Sequence, residues 1–382
     1  MVRVKVSPAI LEWVERRYPS VRSRFPQFDS WMRGERQPTL RQLEELAKKM
    51  AIPLGYFFFT DPPKEELPIP FFRTQKGRGP SEPSPEFMEM LYILRRRQAW
   101  MREYLEGRGY APLPFVGKFA DTKDPIEVTQ DIRQVLRLEE DWAAPLHTWE
   151  EAFQTLRKNV EKAGIVVVSS GVVENNPYRA LDPTEFRGFV LIDPYAPFIF
   201  INAADAKAAQ IFTLAHELAH IWLGKSAAFD LEYLQPAEDE IEKACNQIAA
   251  EFLVPSEALR KHWREISSEK TPFRDLAQRF KVSELVIARR ALDLGLITKK
   301  DFFEFYEEYR QKNKQKRVSG GGNFYATQVQ RLGKYFARSI IQAVQEGSLL
   351  YHEAYRLTGL YGRTFARFVE RSFQELRHDW GK

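Results

Sequence analysis

The chain has 382 residues, 44% hydrophobic and 29% charged, with a net charge of +5 and one cysteine, Cys245. That is enough apolar material for buried cores and about two to four domains, and a single thiol excludes a disulfide framework or a cysteine-based zinc finger. No run approaches the roughly 20 apolar residues of a membrane span, and the N-terminus lacks the apolar stretch of a secretory leader, so a cytoplasmic protein is expected.

Charge is unevenly spread. Residues 1–60 carry +5, residues 310–382 carry +9, and the residues between them carry −9. Basic ends suit an anionic or acidic partner, such as DNA or an acidic protein; the alternative is a pair of solvated helical faces.

In chain order, residues 8–60 read as short helices. Thr39 can cap one of them, with Leu40, Leu43, Leu46 and Ala47 as its apolar stripe. Residues 61–85 are proline-rich and read as a linker, residues 86–106 as a helix, and residues 110–125 as irregular chain. Helical patterns follow over 125–138 and 148–163. Strands are predicted at Ile165–Ser169, Phe186–Ile192 and Phe198–Ile201, where β-branched and aromatic residues concentrate. Two helices are predicted over 204–223 and 236–252, the second with Ile241, Cys245, Ile248 and Phe252 inward. Residues 271–310 are again helical, 311–323 read as a basic hinge, and 324–375 as a small helical domain.

The strongest signal is His216-Glu217-Leu218-Ala219-His220. Two histidines four apart share one helix face and can reach one ion, and the glutamate between them can take a proton from a water. Zinc needs a third protein ligand. Glu242 on the next predicted helix is the first choice, with Asn246 one turn on as an orienting partner; Glu238 is the alternative. Cys245 can bind a metal too, but its place in the apolar stripe reads better as a small buried hydrophobe. For a second oxyanion donor the sequence offers Tyr178, Arg179, Tyr195, Tyr233 and His262 without choosing. Gly224-Lys225-Ser226 ends like a phosphate loop, but Ala219 stands where the first glycine belongs, so nucleotide chemistry is not expected.

The stretches EKAGIVVV, EFRGFVLID, APFIFIN, FTLAHELAH and EKACNQIAAEFLVP resemble, in order and spacing, the ImmA/IrrE family of metallopeptidases over residues 125–260. The resemblance implies a zincin-like core with a small sheet, Zn2+ held by His216, His220 and Glu242, and Glu217 as general base. Members are intracellular, and several cleave or inactivate a specific repressor. Residues 31–53, with Trp31, Gly34, Pro38, Thr39, Leu43 and Ile52-Pro53, are similar to an Xre-type helix-turn-helix. Met32 departs from that pattern, and Pro26 falls where the second helix should run. Arg22, Arg24, Arg33 and Arg36 are the candidate phosphate contacts. Residues 273–296 show a second helix-turn-helix rhythm, and the C-terminal part resembles antitoxin-like fusions found beside PIN-type toxins.

The expected fold is therefore α+β: a mostly helical multidomain chain around a small-sheet peptidase core. Its segments are 1–60, 61–124, 125–260, 261–310 and 324–382. The expected function is a zinc endopeptidase-regulator that cleaves a specific intracellular protein such as a repressor. The alternative is an antitoxin or transcription regulator that neutralises a PIN-type toxin with little or no peptidase activity.

Overall fold

The computed structural model describes all residues except 1–2, 19–20, 51, 64–82, 122–123, 225–227, 230–239, 267–271, 314–323 and 379–382. Much of the proline-rich linker and basic hinge, with Glu238 and Tyr233, thus lies outside the described residues. The chain divides into two compact units, an N-terminal one ending at Met88 and one running from Glu89 to the C-terminus.

The N-terminal unit holds α1 (Pro8–Arg17), α2 (Val21–Arg24), α3 (Phe28–Met32), α4 (Leu40–Met50) and a 3-10 turn at Leu54–Phe58. Ile10, Val14, Phe25, Phe28, Trp31, Leu43 and Leu46 form its core. Thr39 caps α4 as expected: its hydroxyl accepts from the Gln42 amide at 3.3 Å, and the Gln42 side chain accepts from the Thr39 amide at 2.8 Å. Pro26 lies in the turn between α2 and α3, which leaves α3 only five residues long.

The second unit begins within α5 (Pro85–Gly107) and continues with α6 (Pro125–Leu136) and α7 (Trp149–Lys162). Asp124 caps α6 by accepting from the Ile126 amide at 2.9 Å, and Thr148 with Glu151 forms a capping box on α7. The strands are β1 (Val166–Ser170), β2 (Gly188–Leu191), β3 (Phe198–Asn202) and the two-residue β4 (Ala228–Phe229). Their order is β1-β3-β2-β4, with β1 parallel to β3 and β2 antiparallel to both β3 and β4. Every residue of β1, β2 and β3 is buried, which is why Val166–Val168, Phe189–Leu191 and Phe198–Ile201 are uninterrupted apolar stretches rather than alternating ones.

Between β3 and β4 runs α8 (Lys207–Leu223), followed by α9 (Glu240–Leu253), α10 (Ser256–Ile266), α11 (Pro272–Phe280), α12 (Glu284–Asp293) and α13 (Lys299–Asn313). All of Gln210–Leu223 is buried, not only one apolar stripe. A helix enclosed on every side is a core helix, and here its polar residues are enclosed as well. The irregular segment around Gly117 closes its C-terminal end. The Gly117 and Phe119 amides donate to the Ile221 and Trp222 carbonyls at 2.9 Å, and Phe115 stacks on Trp222 at 4.5 Å. Gly224 takes the left-handed conformation at φ +69° to end the helix.

Leu276, Phe280, Val282, Val286 and Ile287 belong to the same apolar cluster as α8 and α9. The helix-turn-helix rhythm of 273–296 therefore packs onto the core. The C-terminal helices α14 (Phe324–Leu332), α15 (Lys334–Gln345), α16 (Tyr351–Thr358) and α17 (Gly362–His378) complete the unit. Two buried guanidinium groups tie them in. Arg157 donates to the Val167 carbonyl of β1 at 2.9 Å and to the Gln330 carbonyl of α14 at 3.1 Å. Arg97 donates to the Leu357 and Arg331 carbonyls at 2.8 and 3.2 Å, and burial lowers its pKa to about 10.

Candidate metal centre

The pair α8–α9 builds the site. Positions 216 and 220 lie one turn apart on α8, so both imidazoles project toward α9. The Nε2 atoms of His216 and His220 are 3.1 Å apart. The Glu242 carboxylate meets both, at 3.1 Å from His216 Nε2 and 3.2 Å from His220 Nε2. Two nitrogens about 2.0 Å from one tetrahedral zinc ion stand about 3.3 Å apart. The spacing of these donors fits that requirement.

Asn246, one turn beyond Glu242, lies 3.0 Å from His216 Nδ1 through its side-chain oxygen. That contact fixes the ring and directs its other nitrogen at Glu242. Burial lowers the His216 pKa to about 4, which keeps the imidazole neutral, the form that binds metals. Burial also opposes charge on Glu242, but hydrogen bonds with His216 and His220 outweigh it and hold the carboxyl below its usual range.

Glu217 is fully buried, and neither carboxylate oxygen has a hydrogen-bond partner among the described residues. Burial, reinforced by the Glu242 charge, raises its pKa well above the usual value. An orphaned buried carboxylate is costly, so its place beside three metal-type donors points to chemistry rather than scaffolding. Gly188 on β2 makes room for it: a Cβ there would stand 3.3 Å from Glu217 Oε1 and 2.5 Å from Thr213 Cγ2. No motif in the sequence singles out Gly188; a glycine at the start of an otherwise apolar strand is its only local signal.

The structure thus brings His216, Glu217, His220, Glu242 and Asn246 together. It adds Cys245, whose sulfur lies within 4.8 Å of ring nitrogens of both histidines while being fully buried. The apolar stripe and the neighbourhood of the metal site are one place, because α9 carries both. Tyr178 is 93% exposed, Arg179 pairs with Glu89, Tyr195 stacks under Arg102, and His262 contacts Glu265.

The four arginines of the N-terminal unit divide into two pairs. Arg22 is ion-paired with Glu15 and Asp29, and Arg33 with Glu35. Arg24 and Arg36 are exposed.

Residues 160–292 match the family model Peptidase_M78, an IrrE N-terminal-like domain. The match runs from the end of α7 to α12 and contains the whole metal centre. Residues 332–371 match DUF8813, a domain of unknown function, in the C-terminal helices. Neither match reaches the N-terminal unit, and no curated protein matches the chain. Residues 160–292 are thus a metallopeptidase-like domain whose residues can hold a metal ion. Among the described residues no helix is long and apolar enough to cross a membrane.

Proposed function

We propose that this chain is a zinc-dependent endopeptidase that cuts a specific protein, with the domain at 160–292 as its working part. The observation that carries this reading is the unpartnered, fully buried Glu217 beside the converging donors of His216, His220 and Glu242. These three side chains would hold the ion, and Asn246 would keep His216 in register. Bound zinc would supply Lewis-acid chemistry, acidifying a water and polarising a peptide carbonyl. Glu217 takes the proton from the attacking water and delivers it to the departing amine nitrogen. Burial raises its pKa, which makes its carboxylate a stronger base toward the water proton.

The resemblance of residues 125–260 supports an intracellular protein such as a repressor as the substrate. Any contact of the N-terminal unit with DNA would draw on Arg22, Arg24, Arg33 and Arg36; Arg22 and Arg33 would exchange exposed carboxylate partners for phosphate.

One observation favours a second reading, in which the chain binds a partner such as a toxin and turns over little. His216, Glu217 and His220 show no exposed surface. The discriminating experiment replaces Glu217 with Gln and compares the two proteins in cells carrying the neighbouring genes. A peptidase yields discrete new protein N-termini with wild type alone. A binding regulator gives the same biological outcome with both.

A further inference from the structure

Behind the metal centre lies a cleft of about 620 Å3 between α9, α12 and the start of α6. That volume is typical of a small-molecule site. Phe212, Ala250, Val286 and Leu294 give it an apolar lining, and Phe212 stands one turn before His216 on α8. Asn246 also lines it, and the same side chain contacts His216 Nδ1 at 3.0 Å. The cleft therefore reaches the group that orients a candidate metal ligand.

The charged groups on its walls are unequally matched. Glu251 pairs with Arg290 and caps α10 by accepting from the Ser256 amide at 3.1 Å. Asp293 pairs with Arg289 at 3.0 Å, and Asp124 is occupied as the cap of α6. Lys243 is exposed at the rim and has no ion-pair partner among the described residues. An open cleft with an apolar wall, paired charges around it and one unmatched ammonium at its mouth complements an apolar body that ends in a single negative charge.

We propose that this cleft binds a medium-chain carboxylic acid, with its chain against Phe212 and Val286 and its carboxylate at Lys243. An occupant excludes water from Asn246 and so holds the amide against His216, which couples the cleft to metal affinity. The coupling rests on the zinc reading; the site itself does not. The test uses the full chain stripped of metal and sodium octanoate as probe, measured by titration calorimetry. Octanoate should bind saturably with one-to-one stoichiometry, and octylamine should bind at least about tenfold more weakly. Ala250→Trp, which fills the chamber, and Lys243→Glu, which reverses its charge, should each weaken octanoate about tenfold or more. Circular dichroism establishes that each variant is folded, and the exposed Lys243→Glu carries the test if Ala250→Trp does not fold. In a second titration octanoate should tighten zinc about fivefold, and zinc should tighten octanoate by the same factor. No saturable binding, or binding unchanged by both variants, overturns the site. Binding that leaves zinc affinity unchanged overturns the coupling alone. A chain that binds octanoate but no zinc keeps the cleft and removes the peptidase reading.

Discussion

At the scale of single residues, Glu217 combines a local cost with a chemical use. The folded chain raises its pKa, so it keeps a proton at pH values where the unfolded chain has lost it. The stability this group contributes is complete below the usual glutamate range and is lost as pH rises through the folded value. Glu217→Gln should therefore stabilise the metal-free protein by about 1–3 kcal/mol near neutral pH. The advantage should shrink as pH falls toward about 5. Paired denaturation curves across that pH range check this, and a variant less stable than wild type at neutral pH would count against it. Asn246 acts through His216. Asn246→Ala should lower zinc affinity about 10- to 100-fold without unfolding the chain, as read by chelator competition. Unchanged affinity would show that packing alone orients the ring.

At the scale of elements, two glycines set how closely neighbours approach. A Cβ on Gly188 would meet Thr213 Cγ2 at 2.5 Å and the Phe200 carbonyl at 2.7 Å. Gly188→Ala should cost about 1–3 kcal/mol and displace Glu217, with activity falling more than metal content. Gly333 sits at φ +85°, where a Cβ would meet Val166 Cγ1 at 2.8 Å. Gly333→Ala should loosen α14 and α15 from β1, seen as earlier proteolysis of the C-terminal helices while the remainder persists. Proteolysis indistinguishable from wild type would remove that role. The motif on α8 was legible because helical spacing is periodic and local; Glu242, on the next helix, was a choice over Glu238 that the family resemblance favoured. The strands predicted at Ile165–Ser169 and Phe198–Ile201 were legible because burial of both faces concentrates β-branched and aromatic residues there. Full enclosure of α8 was not legible, since the cover on its polar side comes from elements distant in sequence. The same limit hid the tie between Arg157 and Gln330, which are 173 residues apart. For Cys245 the sequence offers both a metal ligand and a buried hydrophobe and favours the second; that one side chain faces the core and the histidines together is visible only in the fold.

At the scale of the whole molecule, the C-terminal helices share one compact unit with the sheet and the metal centre. The buried contacts of Arg97 and Arg157 hold them there. Deleting residues 324–382 should therefore destabilise the unit, with loss of soluble protein on expression, rather than release an independent module. A deletion that stays folded with its metal would contradict this. The opening charge asymmetry divides in the same way. The basic C-terminal end belongs to that unit, and the basic N-terminal unit spends two of its four candidate arginines on internal ion pairs. In the proposed peptidase, His216, His220 and Glu242 hold zinc while Glu217 moves the proton. The most direct measurement is zinc content together with mapped protein N-termini for wild type and Glu217→Gln in the same cells. One equivalent of zinc is expected in both proteins, with discrete new termini in wild type only. Equal zinc with identical termini in the two strains would contradict it.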